Sequence, residues 1–175
     1  MNGHDHKTSL VMLGYAAVKG SLCLMGRPGA YEGRFRGNYL EEAKSLLEGD
    51  LADLREYRSL EDSEEDRIFK AGPGESVFGL LYRISEELDT GLEADLFAIP
   101  LRQCAIELCE CADVNPYLAD SEGTVIAVTA DERAFREANG GTTIGNLRDD
   151  RQRFVRAGGR QSFLTPNECS DRSEL

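Results

Sequence analysis

Short apolar runs recur along the chain, and most of them predict β-strands. In these runs the aliphatic and β-branched side chains alternate with polar ones or follow one another without interruption, which is typical of half-buried and fully buried strands. The turn sequence Gly72-Pro73-Gly74 separates two of the runs and predicts a reversal of the chain between them. The predicted strands cover residues 10–18, 68–69, 77–84, 104–111 and 124–129.

Two other segments predict helices. Ser85 is a candidate N-cap before an acidic first turn, whose charges suit the positive end of a helix dipole. This helix would end before Pro100. Asp131 is the candidate N-cap of a second helix, over residues 131–138, which the two glycines at 140 and 141 would stop. Residues 39–48 fit both a helical stripe and a short edge strand.

The order of these elements predicts a single α+β domain. Its 175 residues suit one domain of typical size. Short strands with one or two flanking helices favour a small curled mixed sheet or barrel. Residues 1–8 are polar and predict a flexible lead-in, residues 9–156 the domain, and residues 157–175 a flexible tail. We therefore expect residues 1–8 and about 160–175 to be dispensable for folding.

Charge narrows the range of partners. The formal net charge is −12, which disfavours nucleic acid and anionic membrane surfaces as partners. Five of the carboxylates fall within residues 61–66, where a solvated loop or a docking patch for a basic partner would account for them. No apolar run approaches the ~20 residues that span a bilayer, and the N-terminus does not resemble a secretory signal. We expect a cytoplasmic protein.

Five cysteines, an odd number, predict unpaired thiols in a reducing compartment. Cys104, Cys109 and Cys111 lie close in sequence, and two thiols on one strand face could hold a metal. The chain has no CxxC pair, however, and its two histidines, His4 and His6, lie in the polar lead-in. We therefore predict no metal site and expect these cysteines to serve as small buried side chains.

Several motifs, in this order, resemble the gamma-glutamylcyclotransferase-like superfamily. They are the strand and loop Gly14-Tyr15-Ala16-Ala17-Val18-Lys19-Gly20, the block Val77-Phe78-Gly79-Leu80-Leu81-Tyr82-Arg83-Ile84, the segment Leu92-Glu93-Ala94-Asp95-Leu96-Phe97, Leu101-Arg102-Gln103, and residues 124–129. The resemblance implies that residues 39–46 form a strand, residues 77–84 a central strand beside the first, and residues 92–97 a helix. In that strand Gly79 would permit close approach of a backbone or ligand.

The resemblance also implies a chemistry. The loop from Gly14 to Val18, with Gly79 and Tyr82, would bind a γ-glutamyl ligand, and backbone N–H groups of the loop would hold its carboxylate. A carboxylate would then take a proton from the ligand's α-amine, which attacks the γ-carbonyl, closes a five-membered lactam (5-oxoproline) and expels the amine bound at that carbonyl. The sequence departs from this pattern in two places. Ala16 and Ala17 replace the loop's Gly and Ser, and Leu96 stands where the base belongs.

Asp95 and Glu93 are the remaining candidates for the base, and a solvated helix face is the alternative interpretation of both.

Three functions stay open: a divergent cyclotransferase, a ligand-binding or assembly module without activity, and an accessory domain of allophanate or urea metabolism. The third rests on residues 96–101, which are similar to the C-terminal domain of allophanate hydrolase. No cofactor is implied, and a protein partner is the alternative to a γ-glutamyl ligand. A carboxylate facing the loop would favour the enzyme. Because Ala16 and Ala17 replace the loop's Gly and Ser and Leu96 replaces the base, we expect little or no release of 5-oxoproline from ordinary γ-glutamyl substrates.

Overall fold

The computed structural model describes residues 7–166, which form one seven-stranded sheet and five α-helices. The strands are β1 (Ser9–Leu13), β2 (Asp66–Lys70), β3 (Gly91–Asp95), β4 (Val125–Thr129), β5 (Thr142–Arg148), β6 (Arg153–Ala157) and β7 (Arg160–Phe163). The α-helices are α1 (Val18–Met25), α2 (Tyr39–Asp53), α3 (Val77–Glu87), α4 (Gln103–Cys111) and α5 (Glu132–Asn139), and two 3₁₀ helices cover Leu54–Ser59 and Pro116–Leu118.

The sheet is mixed and open, with strand order β2-β4-β1-β5-β3-β6-β7. Strands β3 and β6 are parallel, and the other neighbouring strands are antiparallel. The pairings that lead from β1 through β5 to β3 make β1 and β3 run in the same direction. Their carboxyl ends therefore lie at the same end of the sheet. Among the described residues the two edges are β2 and β7, so the expected curled sheet or barrel is corrected to an open sheet.

Every residue of β1 and β4 is buried, because the centre of the sheet is covered on both faces. On one face Leu10 and Met12 join the main core, which includes the apolar side chains of α3. On the other face Val11 and Leu13 pack with Phe135 of α5. Helices α1, α2 and α4 form a further core of their own beside the sheet. The continuous apolar run of β1 reflects this double burial.

Several sequence predictions are confirmed. The run at 10–18 is strand over residues 10–13 and turns away at Gly14, the run at 68–69 lies within β2, and the run at 124–129 contains β4. Helix α5 begins as predicted, with the carboxylate of Asp131 accepting a hydrogen bond of 2.9 Å from the Ala134 N–H, and it ends at Gly140. The domain has five helices rather than one or two, so the predicted balance of helix and strand was wrong.

The segment 77–84, predicted as a central strand, is helix α3. Ser76 caps it by accepting a hydrogen bond of 3.0 Å from the Gly79 N–H. Val77, Leu80, Leu81 and Ile84 are all fully buried, and their spacing of three and four residues is that of one helix face. The strand prediction for this segment considered only the alternation of side chains every two residues and not the helical spacing. The same helix contains Ser85, which is therefore not an N-cap.

Three further assignments are corrected. Residues 104–111 belong to α4, where Cys104, Leu108 and Cys109 are buried at helical spacing. Residues 39–48 belong to α2, so the strand implied by the resemblance is wrong. Residues 91–95 are strand β3 instead of a helix. Residues 39–48 and 104–111 could be matched to both periods, and the contacts of the folded chain decided between them. The helix expected at residues 92–97 came from the resemblance alone.

The predicted tail contains structure up to residue 166. Strand β7 pairs with β6, and Leu164 is buried, with its N–H donating to the Arg153 carbonyl at 2.9 Å. Residues 160–163 thus form an edge strand, and the predicted boundary of the tail at residue 157 stays a prediction. Whether residues 9–156 form a domain by themselves stays a prediction. No helix within residues 7–166 is long and apolar enough to cross a bilayer.

Candidate functional site

The loop from Gly14 to Val18 connects β1 to α1, and its backbone is already engaged. The Ala16 N–H donates to the Pro100 carbonyl at 2.9 Å, and the Ala17 N–H donates to the Ser121 hydroxyl at 2.9 Å. Ala17 has left-handed backbone angles, and Val18 is the first residue of α1. Because Ala16, Ala17 and Val18 are buried, this loop is a packed connection, and those two amides are not available to a ligand carboxylate.

Tyr15 takes part in a stacked ion pair. The guanidinium of Arg102 lies 3.9 Å from the centre of the Tyr15 ring. The same guanidinium donates two hydrogen bonds, of 2.8 and 2.7 Å, to the carboxylate of Asp50, which is 7% exposed. The hydrogen bond to Asp50 raises the pKa of Arg102 above its ordinary value. This bidentate pair joins the end of α2 to the start of α4 beneath the Tyr15 loop.

Glu93 and Asp95, the candidate bases, have other partners. Glu93 forms ion pairs with Arg148 at 3.1 Å and Arg156 at 2.7 Å, on the sheet face shared with Phe154. Asp95 ends β3, and its carboxylate accepts a hydrogen bond of 2.9 Å from the Phe97 N–H. Asp95 therefore caps a turn, and Glu93 belongs to a surface ion network. The catalytic roles assigned to both came from the resemblance and have no other basis.

Gly79 and Tyr82, expected at the ligand, lie in α3. The Gly79 N–H completes the helix cap at Ser76. The ring of Tyr82 is covered by the guanidinium of Arg153 at 4.8 Å. Gly79 thus completes the cap of its own helix, and Tyr82 contacts Arg153 of β6. The sequence analysis expected both residues in a central strand.

The glycine-rich turn between β2 and α3 is filled by a carboxylate of the chain itself. Glu75 accepts hydrogen bonds from the Gly72 N–H at 2.9 Å and from Arg83 at 2.8 and 3.1 Å. A strand, a glycine-rich turn and a helix N-terminus often receive a phosphate. Here Glu75 already supplies the negative charge, so an external anion needs a different site.

The 3₁₀ helix Leu54–Ser59 is held in place by Leu54. A Cβ atom on Gly14 would lie 2.3 Å from a methyl carbon of Leu54, and one on Gly123 would lie 3.4 Å from the other methyl carbon. Both glycines have positive φ, +85° and +88°, which side chains other than glycine rarely adopt. The two glycines thus make the space that Leu54 fills, and Leu54 sets the position of its neighbours Arg55 and Arg58.

A cavity of about 220 Å³ opens beside this 3₁₀ helix. We call it the basic pocket, because four cationic side chains and one carboxylate line it. It is lined by Lys19, Leu51, Leu54, Arg55, Tyr57, Arg58, Lys70, Glu122, Gly123 and Val125. Lys19 lies 3.9 Å from the Glu122 carboxylate, and Lys70 donates to the Arg58 carbonyl at 2.7 Å. Within residues 7–166, no carboxylate forms an ion pair with Arg55 or Arg58.

A second cavity, of about 240 Å³, also lies beside this 3₁₀ helix. We call it the Tyr15 cavity; it shares Leu54 and Tyr57 with the basic pocket. Its lining residues are Met12, Gly14, Tyr15, Asp50, Asp53, Leu54, Tyr57, Pro100, Gly141 and Thr142. Burial, followed by the charges of Glu56 and Asp53, raises the pKa of Tyr57, so its hydroxyl stays protonated at neutral pH.

Within residues 7–166, no group of three or more His, Cys, Asp or Glu side chains is placed so that it could hold a metal ion. Cys109 is buried, and burial raises the pKa of its thiol. Cys23 and Cys111 are exposed free thiols. His4 and His6 lie outside the described residues.

No family model matches this sequence, and no curated protein matches it. The fold is nevertheless that of a class of solved proteins that includes hydrogenase maturation protein HypE and thiamine monophosphate kinase. HypE of E. coli aligns with a TM-score of 0.64 and 15% identity over 97% of this chain and 52% of HypE. Thiamine monophosphate kinase of Aquifex aeolicus aligns with a TM-score of 0.56 and 12% identity over 89% of this chain and 51% of the kinase.

HypE has also been solved with ATP, and that structure aligns with a TM-score of 0.59 and 16% identity over 93% of this chain and 53% of HypE. The chain spans about half the length of these proteins. At such identities the likeness shows the fold alone.

These findings correct the family assignment. The fold is not that of gamma-glutamylcyclotransferases, because the motif that carried the resemblance most strongly, residues 77–84, is a helix in the sheet order seen here. The 5-oxoproline chemistry, the inactive module of that fold and the allophanate-related domain are set aside with it. Sequence reasoning missed Arg55 and Arg58; their spacing of three residues, which places both on one side of a 3₁₀ turn, was the available signal.

Proposed function

We propose that this chain binds a phosphorylated ligand of the nucleotide type and holds its phosphate groups in the basic pocket. The observation that carries the proposal is the convergence of four cationic side chains on one cavity of a chain whose formal net charge is −12. Two of the four, Arg55 and Arg58, have no carboxylate partner within residues 7–166, whereas Lys19 lies near Glu122. Cations gathered around a concavity in an acidic protein attract an anion through a local field opposite in sign to that of the whole surface.

The two arginines make phosphate the best-fitting anion. Arg55 and Arg58 project from successive turns of the 3₁₀ helix and are exposed, so binding requires no ion pair with a protein carboxylate to be broken. A guanidinium presents two parallel N–H groups to phosphate oxygens. Lys19 and Lys70 add ammonium groups from α1 and from the end of β2, although Lys19 also lies near Glu122 and Lys70 also donates to the Arg58 carbonyl. A phosphate chain would therefore be contacted from three elements.

The solved proteins of similar fold favour an adenine nucleotide as the first ligand to test. One HypE structure contains ATP, and one thiamine monophosphate kinase structure contains AMPPCP and TMP, with a TM-score of 0.52. These ligands were found in those proteins and not in this chain. They suggest which phosphorylated compound to test first, among the many that the charge of the basic pocket favours.

The proposal is tested by calorimetric titration with ATP and with inorganic tripolyphosphate. We expect Arg55→Ala/Arg58→Ala to weaken the binding of both ligands. A hydrogen bond to a charged group contributes roughly 1.5–3 kcal/mol, so the affinity should fall at least about tenfold. The matched control is Arg34→Ala/Arg36→Ala, which removes the same charge from an exposed segment elsewhere and should leave both affinities nearly unchanged.

Two results would contradict the proposal. The first is that the parent chain binds neither ATP nor tripolyphosphate. The second is that the control pair weakens binding as much as the pocket pair does, because the effect would then come from net charge and not from the pocket.

Binding to a protein partner remains a second prediction, in addition to ligand binding in the basic pocket. Phe97 and Phe163 are 76% and 57% exposed, and large exposed apolar side chains are of the kind that partners cover. HypE has been solved together with a second protein, HypF, and that HypE aligns with a TM-score of 0.60. We propose Phe97 and Phe163 as the candidate contacts of a partner of this chain.

A further inference from the structure

The Tyr15 cavity differs in chemistry from the basic pocket that it adjoins. No lysine or arginine lines it, and Asp50, one of its two lining carboxylates, is paired through both oxygens with Arg102. The carboxylate that remains is Asp53, the last residue of α2, which is exposed. Within residues 7–166 the Asp53 carboxylate has no ion pair or hydrogen bond, so both of its oxygens are available as acceptors.

Hydroxyl groups complete the polar lining of this cavity. Tyr57 contributes a phenol that both cavities share, and Thr142 contributes an alcohol. The apolar part comes from Met12, Leu54 and Pro100. The carboxylate can accept hydrogen bonds from a diol, and the neighbouring hydroxyls can donate or accept them. The negative charge of the carboxylate repels a phosphate. The two cavities are therefore suited to different parts of one ligand.

We infer that the Tyr15 cavity takes the ribose of a nucleoside phosphate whose phosphates occupy the basic pocket, with the Asp53 carboxylate accepting hydrogen bonds from the ribose hydroxyls. Leu54 and Tyr57 border both cavities, so the ligand would pass along the 3₁₀ helix that carries them. This inference rests on the proposed function, since it requires phosphate binding in the basic pocket. It adds that the site recognises a ribonucleoside phosphate rather than phosphate alone.

The test compares three ligands by calorimetry: ATP, 2′,3′-dideoxy-ATP and inorganic tripolyphosphate. The parent chain should bind ATP about tenfold or more tightly than dideoxy-ATP, because a site built to pair a hydroxyl discriminates against the analogue that lacks it. Asp53→Asn should remove most of this preference and leave the affinity for tripolyphosphate unchanged or slightly improved. Asp149→Asn, at an exposed position outside both cavities, makes the same change of charge and should preserve the preference.

The outcomes separate the two proposals. Equal affinity of the parent chain for ATP and dideoxy-ATP, or an unchanged preference in Asp53→Asn, would overturn this inference while leaving phosphate binding intact. Failure of tripolyphosphate and ATP alike to bind would overturn phosphate binding and this inference with it. Asp53 is exposed at the end of its helix, so its substitution removes no packing from the core.

Discussion

At the scale of single residues, glycines with positive φ decide where the candidate site forms. Gly14 follows β1 and Gly123 precedes β4, and both lie against the side chain of Leu54. The sequence analysis singled out Gly14 as part of a ligand-binding loop. In the structure it acts instead by leaving room for Leu54, and so it positions the segment that bears Arg55 and Arg58.

We predict that Gly14→Ala destabilises the fold and weakens ligand binding together. The control is Gly37→Ala, at a glycine with φ +61° that has no atom within 4 Å of an added Cβ. Left-handed backbone angles cost a residue with a Cβ roughly 1–2 kcal/mol, and Gly14→Ala must in addition displace Leu54, which costs roughly 1–3 kcal/mol more. Urea unfolding measures the difference. Equal losses in the two variants would show that the Leu54 contact is unimportant.

At the scale of elements, the central strands and the edge strand β7 differ in how readily the sequence predicts them. β1 and β4 are buried on both faces and appear as continuous apolar runs. β7 has four exposed residues and no apolar pattern, and it exists because β6 offers it hydrogen bonds. The helices α3 and α4 were misassigned because runs of eight apolar-rich residues match both periods.

We predict that a chain ending at residue 159 is less stable than one ending at residue 166. The shorter chain lacks β7 and the buried Leu164. Full burial of a leucine side chain contributes roughly 1.5–3 kcal/mol, which corresponds to a fall in melting temperature of roughly 5–10 °C for a domain of this size. Thermal melts followed by circular dichroism make the comparison. Identical melting temperatures would restore the earlier expectation that residues 160–166 are dispensable.

At the scale of the whole molecule, charge is unevenly distributed. The formal net charge is −12, yet the basic pocket gathers four of the 20 lysines and arginines at one cavity. Like charges repel across the surface and disfavour the compact state, whereas the pocket attracts anions. Dissolved salt screens both effects.

We predict that added sodium chloride changes stability and binding in opposite directions. Without ligand, the melting temperature should rise with salt, because screening relieves the repulsion among the surplus carboxylates. The additional rise produced by a fixed concentration of ATP should shrink over the same range, because the stabilisation follows the affinity for the ligand. Differential scanning fluorimetry measures both. A ligand-dependent rise that is insensitive to salt would argue against binding through the four cations.

The sequence by itself determined those features that depend on local pattern: the mixed α and β class, the double-buried strands β1 and β4, and helix α5 with its Asp131 cap. Tertiary structure alone decided the rest. Residues 77–84 and 104–111 could each have formed a helix or a strand. They form helices because their apolar side chains pack at helical spacing into two hydrophobic cores. The basic pocket joins α1, the 3₁₀ helix, β2 and the turn before β4, residues up to about a hundred positions apart. No local pattern in the sequence shows that these cations share a cavity, because they lie on separate elements that only tertiary packing brings together, including the packing of Leu54 against Gly14 and Gly123.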